Sequence, residues 1–179
     1  MTQYDFGQPI DGIIQVAYTV ADIHKSMEHY VKRLGVGPWF LIEHFPGRDM
    51  RYRGAPTSLD ISLAMAFSGH TLLELIQQND DGPSVYRDLV AKRGHGFHHW
   101  GVGSRNFETD VRRYRDMGYD EAFFAVTPAG DRVAYMDATA DLPGMVELIE
   151  MNEPTERLFT GFYQAAISWD GGDPIRSFG

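Results

Sequence analysis

Apolar residues recur along this chain with two different periods, and the switches between them mark the elements. Residues 12–20, "GIIQVAYTV", form a largely apolar, strand-like run. At 22–34 the apolar positions move to helical spacing. Ile23, Met27, Tyr30, Val31 and Leu34 share one face, and Gly35 supplies the stop. Strand-like runs follow at 38–45, 58–67 and 70–78, the last two separated by the hairpin turn "SGH". The intervening "PGRDMRYRGAPT", residues 46–57, reads as a loop rich in Gly, Pro and Arg. A short helix is predicted at 83–93.

The order then repeats. A strand at 97–103, "FHHWGVG", precedes a helix at 106–117 that Gly118 ends, and strands follow near 121–127, 131–138 and 144–150. Each half therefore reads strand–helix–strand–strand–strand. The duplication is one of element order more than of residues. A single domain over 1–179 is expected, with module one at about 10–80, a linker helix at about 83–93 and module two at about 96–152. The tail, 153–179, holds one more helix. Its Leu158, Phe162 and Ala165 are placed to pack on the body or on a partner subunit.

Polar residues interrupt these strands at matched positions. Gln15 lies in the first strand of its half, seven residues before Asp22 at the next helix start. His99 stands the same distance before Asn106. Glu74 in "LLELI" and Glu147 in "MVELI" occupy the last strand of each half. Each of the four, taken alone, reads as a solvated or hydrogen-bonded strand residue. Together they pose a problem, because an unpaired buried carboxylate is very costly. A divalent cation resolves all four burials at once, with one amide oxygen, one imidazole and two carboxylates as ligands.

Composition narrows the classes. The 179 residues are 43% apolar and 13% aromatic, as in a globular protein. A net charge of −9 argues against nucleic-acid binding and against adhesion to anionic membranes. No apolar run approaches membrane-helix length, and the N-terminus lacks a signal-peptide pattern, so a cytoplasmic location is expected. With no cysteine, any metal is held by His, carboxylate or amide groups.

The stretches "IIQVAYTVADIHKSMEHYVKRLGVGPW", "GFHHWGV" and "MVELIE" resemble the vicinal oxygen chelate superfamily, which includes glyoxalase I, methylmalonyl-CoA epimerase, extradiol dioxygenases and bleomycin and fosfomycin resistance proteins. The resemblance implies an α+β fold of two tandem βαβββ modules forming an open U-shaped sheet around one metal-centred cleft. It implies Gln15, Glu74, His99 and Glu147 as metal ligands. The ion expected is zinc, nickel, cobalt, manganese or magnesium. The ligand order is similar to that of eukaryotic-type glyoxalase I, whereas the surroundings of His99 resemble the epimerase. Dioxygenases and fosfomycin enzymes favour a histidine where Gln15 stands. Thr19 occupies the position of the arginine with which glyoxalase I holds glutathione, which argues against a glutathione adduct as substrate.

The chemistry implied is proton abstraction beside a carbonyl, through an enolate or enediolate, with Glu147 or Glu74 as the catalytic base. The expected activity is that of an isomerase, epimerase or lyase on a small carbonyl compound. The alternatives are a protein that sequesters a small molecule and, less favoured, a ring-cleaving dioxygenase. His98 and Trp100 alternate with His99 and are assigned to packing, and His95 to the pocket rim. Arg48, Arg51 and Arg53 read either as a solvated loop or as a clamp for an anionic substrate. Trp39, Phe40, Tyr18, Met65 and Tyr135 are candidates for an apolar pocket lining. A homodimer is expected from the aromatic tail.

Overall fold

A computed structural model describes residues 3–178. Met1, Thr2 and Gly179, the ends of the expected domain span, lie outside the described residues. In chain order the elements are β1 (Ile13–Thr19), α1 (Ile23–Leu34), β2 (Trp39–Ile42), β3 (Arg48–Tyr52), β4 (Ala55–Pro56), β5 (Ile61–Ser68) and β6 (Thr71–Gln78). There follow α2 (Val85–Arg93), β7 (Gly96–Ser104), α3 (Phe107–Asp116), β8 (Glu121–Val126), β9 (Arg132–Met136), β10 (Met145–Glu150), α4 (Glu153–Ile167) and β11 (Ile175–Ser177). The fold is α+β, with one open, curled sheet in the order β11-β2-β5-β6-β1-β7-β10-β9-β8-β3-β4.

The two halves meet at β1 and β7, which pair antiparallel. Each of these strands is flanked on its other side by the last strand of its own half, in parallel: β6 beside β1 and β10 beside β7. The first helix of each half covers the outer face of its strands. Ile23 and Met27 of α1 pack on Trp39, Ala64, Ala66 and Leu75. Phe107 and Val111 of α3 pack on Ala134, Met136, Val146 and Leu148. Side chains alternate along a strand, so the neighbours Leu63, Glu74, Ile76, Tyr135 and Glu147 fall to the inner face, which is the cleft. Helix boundaries follow local chemistry. Asp22 caps α1 by accepting from the Lys25 amide at 2.9 Å, and Gly35 closes it with a φ of 64°.

Two segments depart from the sequence reading. The Arg-rich stretch at 46–57 is not simply a loop. It leaves module one, forms β3 and β4, and adds to the far edge of module two by pairing β3 with β8. Its single buried apolar side chain, Met50, faces the cleft. The alternation that marks a strand is masked here by charged residues on the solvent side. The tail also adds a strand, β11, which pairs with β2. Helix α4 packs on the chain's own body through Phe159 and Phe162, and Phe162 stacks on Phe40 at 4.1 Å between ring centroids.

Small residues make the centre of the sheet possible. Ala17 of β1 lies level with Glu74 on one side and His99 on the other. Gly101 of β7 lies level with Gln15 on one side and Glu147 on the other. Two long polar side chains thus lean over each small residue. A Cβ on Gly101 would stand 2.7 Å from the Gln15 Cβ and 3.0 Å from the Ile149 Cδ1. Gly101→Ala is therefore expected to lower stability by about 1–3 kcal/mol through overpacking, measured by urea denaturation. An unchanged midpoint would contradict this packing.

Candidate metal centre

The four matched polar residues converge. Gln15, Glu74, His99 and Glu147 are all at most 5% exposed. Ligand atoms of Glu74, His99 and Glu147 lie within 4.8 Å of one another. The His99 Nε2 is 3.1 Å from the Glu147 Oε2 and 3.5 Å from the Glu74 Oε2. The Gln15 amide nitrogen donates to the Glu74 Oε2 at 2.8 Å and stands 3.5 Å from the His99 Nε2. The Gln15 Oε1 is buried with no hydrogen-bond partner.

A hydrogen-bond chain orients the histidine. The His98 Nε2 lies 3.1 Å from the carbonyl oxygen of Val85, at the start of α2. That oxygen can only accept, so the His98 Nε2 carries a proton. Burial first, then His99, holds the His98 pKa well below the usual histidine range, so its ring is neutral. The His98 Nδ1 is then an acceptor, and it lies 2.9 Å from the His99 Nδ1. The His99 Nδ1 must carry the proton in that contact. With that proton on Nδ1, the His99 Nε2 is the atom left facing the two carboxylates. Burial, and after it the charge of Glu147, pushes the Glu74 pKa well up. Two carboxyl groups and an imidazole nitrogen grouped this closely could hold a metal ion.

Gln15, Glu74 and Glu147 line a cavity of about 440 Å³, and His99 lies buried behind them. Its wall is mainly apolar, with Met50, Leu63, Met65, Phe123, Val133 and Phe159 among the contributors. Such a volume suits a small molecule. Met65 and Tyr135 line it, as the sequence reading expects. Trp39 does not, being fully buried beneath α1, and Phe40 packs on α4. Tyr18 packs in the α1 cluster. His95 borders a different pocket, beside β1 and α2.

The arginines do not form a clamp in the cavity. Arg53 pairs with Asp88 at 2.8 Å and Asp137 at 3.4 Å. Arg51 lies over the Phe124 ring, 4.5 Å from its centroid. Neither these two nor Arg48 lines the cavity.

Two groups on the wall escaped the sequence reading. Asp131 is buried there, its Oδ1 accepting from Thr127 at 2.5 Å and Thr155 at 2.8 Å, which ties the β8–β9 turn to α4. Its pKa is raised, chiefly by burial. Tyr86 of the linker helix reaches the wall as well. Neither has a counterpart in the other half, so the comparison of halves carried no signal for them. The tautomers are testable by long-range ¹⁵N–¹H correlation spectra. His98 is expected as the Nε2–H form and His99 as the Nδ1–H form. A His98 protonated on Nδ1 alone would contradict the chain.

Comparisons with known proteins bear on the fold. No curated protein matches the sequence. Among solved structures, methylmalonyl-CoA epimerase from Mycobacterium tuberculosis is 20% identical, with a TM-score of 0.58 over 80% of this chain and 89% of that one. A Streptomyces coelicolor methylmalonyl-CoA epimerase variant in complex with 2-nitronate-propionyl-CoA is 17% identical, with a TM-score of 0.55 over 81% of this chain and 97% of that one. A hypothetical protein from Bacillus halodurans is 18% identical, with a TM-score of 0.57 over 79% of this chain and 95% of that one. At these identities the likeness is one of fold. The profile of the Glyoxalase/Bleomycin resistance protein/Dioxygenase superfamily matches residues 14–135, more than half of the chain, and the protein belongs to that superfamily, the vicinal oxygen chelate proteins.

Proposed function

We propose that this protein is a metal-dependent isomerase, epimerase or lyase that acts on a small carbonyl compound through an enolate or enediolate. The observation that carries the reading is the convergence of Glu74, Glu147 and the His99 Nε2 in a buried, mainly apolar cleft. The donor set fits a divalent ion. Two carboxylates balance its charge, and a neutral imidazole with its far nitrogen hydrogen-bonded is a good ligand. Gln15 fits as the fourth ligand. The two ends of an amide are nearly isosteric, and a half-turn would bring the orphaned Oε1 to where the amide nitrogen now faces Glu74 and His99. Without an ion, that amide nitrogen serves as a stand-in donor.

When bound, the ion supplies Lewis-acid polarisation of a substrate oxygen. The remaining work falls to the chain. Gln15, Glu74, His99 and Glu147 would hold the ion, and the carboxylates come from opposite modules. In this reading either carboxylate takes a proton from the carbon beside the carbonyl and returns it. Return on the other face gives epimerisation, and return at a neighbouring atom gives isomerisation. The apolar wall keeps bulk water from the carbanion. The epimerase neighbours favour proton exchange within this class, and the Gln15 position favours it over oxygenation.

The test is metal analysis beside proton exchange. Protein purified without chelator is expected to hold about one divalent ion per chain. His99→Ala and Glu147→Ala are expected to weaken zinc binding by more than about tenfold, measured by competition with a chromophoric chelator. The loaded wild type should exchange the α-proton of a 2-substituted carbonyl compound for deuterium, followed by ¹H NMR. Stoichiometric iron with oxygen uptake would favour the oxygenase. No metal after reconstitution, with apolar ligands still bound, would leave a sequestering protein.

A further inference from the structure

The cavity holds a pair of phenols that the metal ligands do not explain. Tyr86 comes from the linker helix α2 and Tyr135 from β9. Both line the cavity, and each is only 3% exposed. Their hydroxyls are 3.1 Å apart, with the rings nearly perpendicular at 5.9 Å between centroids. The pair sits against the candidate metal centre. Tyr135 is the cross-strand partner of Glu147, and its ring centroid is 4.9 Å from that of His99. The Tyr86 ring is 5.0 Å from that of His98.

Counting protons defines what the pair can do. Two hydroxyls carry two O–H protons, and their mutual hydrogen bond uses one. Among the described residues no third group accepts the other. Both phenols stay un-ionised. Burial raises the pKa of each well above the usual tyrosine range, and the nearby charge of Glu74 (for Tyr86) and Glu147 (for Tyr135) raises it further. The pair is therefore a neutral donor, already dry, with one proton to offer. Phenylalanines would fill the same space without leaving a donor unmatched. A donor of this kind gains most from an acceptor that becomes negatively charged.

Resting on the proposed function, we propose that Tyr86 and Tyr135 act as one hydrogen-bond donor to the substrate oxygen that gains negative charge when the neighbouring carbon loses its proton. The proton from carbon goes to a glutamate. The tyrosine proton is shared with the oxygen in a hydrogen bond and is not transferred. The developing charge then rests on a substrate oxygen that the chain itself stabilises, so the ligand class recognised is an enolate-like or phenolate oxyanion. Coupling through the mutual hydrogen bond makes Tyr86, which belongs to the linker, part of the catalytic machinery.

The experiment uses 4-nitrocatechol, whose two vicinal oxygens mimic the expected ligand and whose absorbance reports its ionisation. Full-length wild type is loaded with zinc, and the affinity and apparent pKa of the bound catechol are followed across pH. The double variant Tyr86→Phe/Tyr135→Phe is expected to retain its zinc. Its affinity should fall roughly ten- to a hundredfold, and the bound catechol should ionise about one to two units higher. Each single variant should show a smaller loss than the double. Should the double variant fail to fold, the single variants decide by the same two readings. Binding within about twofold of wild type at an unshifted pKa would overturn the proposal, as would a zinc-loaded wild type that does not bind the probe. Failure to hold zinc counts against the metal reading instead. In that case, loss of catecholate binding in the double variant alone would still support the tyrosine pair, and equal binding would overturn it.

Discussion

Two carboxylates and an imidazole nitrogen meet in the buried middle of this molecule, and the rest of the structure is arranged to hold them there. The His99 Nε2 stands 3.1 and 3.5 Å from the two carboxylates, and burying polar groups this close together is costly unless a proton or a cation is shared among them. Such an arrangement persists only if the scaffold over-determines it. Here the scaffold is the pairing of β1 with β7. Ala17 and Gly101 keep its floor low enough for four longer side chains to lean together. The outer-face helices bury the opposite side of the same strands, so the register that places the polar groups also completes the core.

The linker between the modules does more than connect them. Its first carbonyl sets the protonation of His98, and His98 in turn sets that of His99. One residue further on, Tyr86 reaches the cavity wall and meets Tyr135 from module two. A short helix thereby couples ligand orientation to the donor inventory of the pocket. The β3–β4 extension has a comparable place at the other end. It carries Met50 into the cleft while its arginines engage Asp88, Asp137 and Phe124 outside it. The arginine stretch supports the fold of the far arm and leaves the cavity wall without a lysine or arginine among the described residues.

The duplicated element order and the four matched polar residues were legible in the sequence because both follow from periodicity within single strands. Gln15, Glu74, His99 and Glu147 stand out as polar residues among apolar neighbours, and the fold brings them together. What was not legible depends on contacts between distant segments. The strand at 48–52 is mostly charged because one face is solvated, and its partner β8 lies in the other module. Trp39 sits on the outer face, which the short β2 is too brief to announce by alternation. Tyr86 and Asp131 reach the cavity from a helix and a turn, where strand spacing says nothing about direction. Residue type marked the four candidate metal ligands, whereas only the three-dimensional arrangement marked the wall.

The central claim is that the buried Glu–His–Glu group, with Gln15, holds one divalent ion. X-ray absorption at the zinc edge of the zinc-loaded full-length protein tests it most directly. The account predicts a shell of oxygen donors with one imidazole nitrogen, at about 2.0–2.2 Å, and loss of the imidazole signature in His99→Ala. A shell without imidazole scattering, or one unchanged by that substitution, would contradict it.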